Sequence, residues 1–114
     1  MNGIYAIYFT GYGGSSLGIL SLKDGIITGA DVANGIYDGE YKYDRKHSCI
    51  NGNIKVTVPQ GTVFVTGLIA TPPNQIINIP FSLPQDFGAE KPIEIQTPIG
   101  PINIIFKKLR DYPS

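Results

Sequence analysis

The chain has 114 residues, of which 42 % are apolar and 16 % charged, and its nine basic and nine acidic side chains leave no formal net charge. That length suits one domain around one core, and that apolar content excludes a disordered chain. The charge balance excludes broad electrostatic binding of nucleic acid or of an anionic membrane.

The amino terminus, MNGIYAIYFTGYGG, has neither a basic stretch nor the continuous apolar run of a signal peptide. No segment approaches the roughly 20 apolar residues that span a bilayer. Cys49 is alone, which rules out an intramolecular disulfide and a cysteine metal cluster. The expected setting is cytoplasmic.

Strand periodicity follows almost throughout. GIYAIYF (3–9), LGILSL (17–22), EYKY (40–43), IKVTV (54–58), INIPFSL (77–83), IEIQT (93–97) and INIIF (102–106) are short, β-branched or aromatic, and bounded by turn formers. Asp24-Gly25, Asn34-Gly35 and Asn51-Gly52 read as tight hairpin turns, and around Gly100-Pro101 the stretches IEIQTP and INIIF mirror each other as the arms of another hairpin. A single helical turn is the most expected of residues 31–34, since glycine interrupts every longer helical pattern. All nine prolines lie at or after Pro59, so turn chemistry changes there while the strand pattern continues. Residues 59–75 are the least regular and read as a strand plus a long loop. Many short strands joined by hairpins predict an all-β, antiparallel barrel or sandwich of one domain over residues 1–114.

Two motifs suggest a nucleotide site and fail on context. GYGGSSLG (11–18) has the look of a phosphate-binding loop, but it opens a strand, where a phosphate cradle needs a helix N-terminus. Asp86-Phe87-Gly88 matches the kinase magnesium tripeptide, yet the catalytic-loop His-Arg-Asp is missing and the one histidine lies in RKHSC. Both therefore read as turns. His47 and Cys49, two apart, are the one nucleophile–base pair; with Arg45 and Lys46 adjacent and no oxyanion hole nearby, they read as inert. One histidine, one cysteine and scattered carboxylates form no metal-ligand set. The expectation is no catalytic residue, no cofactor and no metal.

The amino-terminal two-fifths carries a further pattern. It runs Asn2-Gly3-Ile4-Tyr5, Phe9, Gly18-Ile19-Leu20, Lys23-Asp24-Gly25, Ile27-Thr28-Gly29-Ala30-Asp31 and Tyr37-Asp38-Gly39-Glu40-Tyr41. In order and spacing this resembles the GrlR family, small regulators of type III secretion gene expression. The resemblance implies a lipocalin-like antiparallel β-barrel of about eight strands, a homodimer, and a non-enzymatic role in sequestering a transcriptional activator. In that family an acidic run makes the contact. Here the corresponding stretch is Glu40-Tyr41-Lys42-Tyr43-Asp44-Arg45-Lys46, mixed and partly basic, so the fold carries over and the particular activator does not.

Three functional expectations result. The first is a regulatory protein-binding module that acts on a transcription factor, with the 37–58 hairpin as partner surface and Glu40, Lys42, Asp44, Arg45 and Lys46 as its contacts. Tyrosines alternating with charges there are suited to an interface. The second is a barrel binding one small apolar ligand, and the third an enzyme. GIYAIYF is apolar at both alternating sets while a barrel buries only one. That predicts a homodimer, with Tyr5, Ile7, Phe9 and Ile105 as the dimer face unless the 59–75 loop covers it.

Overall fold

The structure is a computed structural model and describes residues 2–11, 13–59, 61, 74–98 and 100–113. Eight strands follow in chain order: β1 (Gly3–Gly11), β2 (Gly14–Lys23), β3 (Ile26–Asp31), β4 (Ile36–Asp44), β5 (Cys49–Pro59), β6 (Asn74–Pro84), β7 (Ile93–Thr97) and β8 (Gly100–Asp111). They form one antiparallel sheet in the order β6-β5-β4-β3-β2-β1-β8-β7. Its end strands β6 and β7 come back against each other, which makes a nearly closed, lipocalin-like barrel. Both end strands carry or abut proline: Pro80 and Pro84 lie on β6, and Pro92 and Pro98 flank β7. Proline is admitted at an edge, where a missing N–H breaks no ladder, and it blunts the edge against further pairing.

Most of the expected turns form. Gly11 pairs with Gly14 to close the first hairpin, and the chain runs on as β2, so the glycine-rich stretch turns the chain. Asp24 and Gly25 take φ of 51° and 85°, the pair of positive values that a two-residue hairpin demands. Asn34 N–H donates to Asp31 O at 3.1 Å with Asn34 at φ 66°, so residues 31–34 close a β-turn and the helical turn expected there does not form. A second turn is corrected. Asn51-Gly52 lies inside β5, and the β4–β5 reversal comes earlier, at residues 45–48, with Ser48 at φ 51°. Strand β3 has no counterpart among the predicted strands. The irregular loop falls largely on residues 60 and 62–73, outside the described residues.

The interior is set by register. β4 and β5 alternate cleanly, with Asp38, Glu40, Asn53 and Lys55 exposed, so Tyr37 and Val56 point inward. Residues paired directly across a ladder share a face. The chain of pairs Val56↔Tyr37↔Gly29↔Leu20↔Tyr5 therefore carries the inward phase to β1. Tyr5, Ile7 and Phe9 are buried in the core, at 2–4 % exposure, and cannot be the dimer face predicted for them. The outward set is Ile4, Ala6 and Tyr8. Ile105 does stand outside, paired with Tyr8 and half-buried.

Candidate functional site

The β4–β5 hairpin overhangs the sheet. β3 pairs with β4 only as far as Glu40, whereas β4 and β5 stay paired to Asp44↔Cys49. Glu40 and Lys42 occupy successive outward positions of β4, and Arg45 and Lys46 follow in the turn, all four exposed. Among the described residues none of these four side chains has a hydrogen-bond or ion-pair partner. Asp44 is different. Its Oδ1 accepts the N–H groups of Lys46 (3.1 Å) and His47 (3.3 Å), and its Oδ2 lies 2.7 Å from His47 Nδ1. The hydrogen bond from His47 holds the Asp44 carboxyl below the usual carboxylate range. Asp44 thus fastens the turn and is not free for a partner, while the other four predicted contacts share one end of the hairpin.

The tyrosines of this hairpin do not serve as expected. Period-2 alternation that puts charges outside puts Tyr37 and Tyr41 inside, at 7 % and 8 % exposure. Only Tyr43, past the end of β3, stays 40 % exposed, and its hydroxyl donates to Gln85 Oε1 at 3.0 Å. The pair His47 and Cys49 is not brought together: the imidazole turns to Asp44, and the thiol to Asn51 Oδ1 at 3.6 Å. Among the described residues no three His, Cys, Asp or Glu side chains converge as metal ligands.

Inside the barrel two features had no sequence signal strong enough to be noticed. Asp31, the last residue of β3, accepts the Tyr37 hydroxyl on Oδ2 (2.6 Å) and the N–H groups of Ala33 (2.9 Å) and Gly35 (2.8 Å) on Oδ1. The bond from Ala33 N–H, two residues on, is the one by which aspartate side chains lock turns of this kind. Burial, reinforced by the bond to Asp31, pushes the Tyr37 phenol far above its ordinary value of 10.0. Below pH 10 this costs nothing. Above it the unfolded chain releases the proton while the folded chain holds it, so stability should fall by about 1.4 kcal/mol per pH unit for this residue. Urea midpoints measured from pH 8 to pH 11 should therefore drop. Tyr37→Phe should start lower, through loss of the bond to Asp31, yet decline less steeply.

The second feature is a cavity of about 70 Å³ within the core, walled by apolar side chains such as Ile7, Leu20, Ile79 and Phe106. Several inward residues near the β6–β7 seam, Ile54, Phe81, Ile93 and Ile95 among them, are only partly buried. Comparison with protein-family models, with curated proteins and with solved structures finds no match to this chain.

Proposed function

We propose that the chain is a non-enzymatic, GrlR-like regulatory module that binds a transcriptional regulator through the overhanging end of the β4–β5 hairpin. The observation that supports this is the group of Glu40, Lys42, Arg45 and Lys46, four exposed charges without partners among the described residues on a hairpin that clears its neighbour β3. Unpaired charges at a rim confer specificity and on-rate. The basic pair at the tip favours an acidic partner. Affinity purification from the native host should recover a stoichiometric protein. Charge reversal of Arg45 and Lys46 together should then weaken that complex about tenfold or more, with the thermal midpoint nearly unchanged because both side chains are exposed. Unaltered affinity moves the surface elsewhere.

The apolar cavity favours a second reading, a site for a small apolar molecule. Its 70 Å³ is less than half of the roughly 150 Å³ that accommodates benzene, so such a ligand has few heavy atoms or parts the β6–β7 seam. Native mass spectrometry should show a retained mass that denaturing conditions release. A bare chain in both conditions ends this reading.

A further inference from the structure

We propose that the outer face of β1, β2 and β3 lies against an anionic lipid bilayer, with its apolar side chains in the interface and a basic margin on the phosphates. The registers lay the outward positions in rows across the strands. One row is Ile105↔Tyr8↔Leu17, with Val32 beside it, since Val32 N–H donates to Leu17 O at 3.0 Å. The next is Lys107↔Ala6↔Ile19↔Ala30↔Ile36, and after it comes Arg110↔Ile4↔Ser21↔Thr28. Tyr8 and Leu17 are each 47 % exposed, Ile19 and Ile36 52 % and Val32 68 %. These five side chains present apolar surface on the order of 500 Å², near the top of what a monomer leaves uncovered.

The order of the rows selects a bilayer as the occupant. Successive rows are two residues apart, about 7 Å along the strands. An interfacial element buries its apolar face roughly 5–10 Å deep. A barrel that seats the Tyr8 row at the acyl boundary therefore brings Lys107 and then Arg110 to the level of the headgroups. Both are exposed, and their long apolar stems let the charged ends reach the phosphates. Lys23, two rows beyond Ile19 on β2, is a third exposed cation on the same side. Tyr8 suits the boundary, because tyrosine carries a polar tip on an apolar ring. Acidic side chains keep to the far borders: Asp38 stands on β4 and Glu94 on β7, while Asp31 is held by its own turn. Zero formal net charge excludes attraction by the molecule as a whole. Here the attraction is confined to one margin, and the apolar rows supply the rest.

The tip of the β4–β5 hairpin lies about 27 Å along β4 from Ile36, so this face neither uses nor blocks the partner surface there. Vesicles of three parts phosphatidylcholine to one part phosphatidylglycerol should carry the protein into the pellet on sedimentation, and vesicles of phosphatidylcholine alone far less. Lys107→Glu combined with Arg110→Glu should weaken binding to the anionic vesicles about thirtyfold or more, with the far-ultraviolet circular dichroism of the barrel retained. The chain has no tryptophan, so Val32→Trp places a single indole at the most exposed apolar position. Its emission should shift to the blue when anionic vesicles are added. Lys42→Glu, on the hairpin, should sediment as the wild type does. A wild-type chain that stays in the supernatant with both vesicle types, or sediments equally with both, overturns the proposal. An indole that does not shift, or binding undiminished in the folded Lys107→Glu, Arg110→Glu variant, overturns the assigned face. So does a light-scattering mass of twice 12.3 kDa that Val32→Asp halves, because the face then belongs to a second copy.

Discussion

Phe87→Ala should remove about 3–5 kcal/mol of stability, as deletion of a buried aromatic ring typically does. For a domain of this size, with a total stability of order 5–15 kcal/mol, that is about a fifth or more of what holds it folded. The residue lies in the turn after β6, a position where sequence alone favours solvent. Instead Phe87 N–H donates to Pro84 O at 3.0 Å and Ala89 N–H to Asp86 O at 2.9 Å, which curls the segment back over the open end of the barrel. The side chain drops into the core, at 4 % exposure. Its ring lies 5.1 Å from Tyr5 and meets Phe106 edge-on at 5.2 Å, the arrangement that aromatic quadrupoles prefer. Neighbouring Asp86 contributes little, because its 3.6 Å pair with Lys91 is exposed on both sides. Asp86→Ala should therefore change stability by no more than about 0.5 kcal/mol. Denaturant unfolding of the two variants reads the contrast directly. Equal effects would show that the turn itself, and not the ring beneath it, closes this end.

The tripeptide at 86–88 shows how far local pattern carries. Its neighbours identify it as a turn, but nothing local says that the turn plugs a barrel, because Tyr5 and Phe106 come from distant strands. Strand existence was legible wherever β-branched or aromatic residues ran together, as in 54–58 and 102–106. β3 escaped because Gly29 and Ala30 dilute its pattern; it is held as a strand by ladders on both sides, to β2 and β4. The inward face of β1 was illegible for another reason. Both of its faces are apolar, and only register to the cleanly alternating β4 and β5 decides between them. The charges of the hairpin end could be read as exposed, since period-2 alternation needs no partner strand. That Asp44 turns inward on Lys46 and His47 could not, because β4 ends at Asp44 and alternation stops with it.

Asn51-Gly52 was misread because glycine serves two purposes, and its role here carries the other large expected effect. Gly52 sits within β5 between Tyr41 on β4 and Phe81 on β6. Positive φ is not what it supplies. A Cβ at this position would collide with the backbone carbonyl oxygen of Glu40 and come within 2.7 Å of Phe81 Cζ. The neighbouring strands approach so closely here that only a hydrogen fits, one of the uses of glycine within a strand. A strand-forming residue should improve local propensity and still lose, because backbone cannot move aside as a flexible side chain can. Gly52→Ala should cost about 2–4 kcal/mol, and Gly52→Val more. Part of the penalty belongs to the Phe81 ring and part to the Glu40 carbonyl, and a double-mutant cycle separates them. Gly52→Ala combined with Phe81→Leu should recover about 1 kcal/mol relative to the sum of the single changes. Strict additivity would assign the whole penalty to the backbone contact with β4. Wild-type stability in Gly52→Ala would mean that β5 relaxes at this point and that the close approach of its neighbours does not require the glycine.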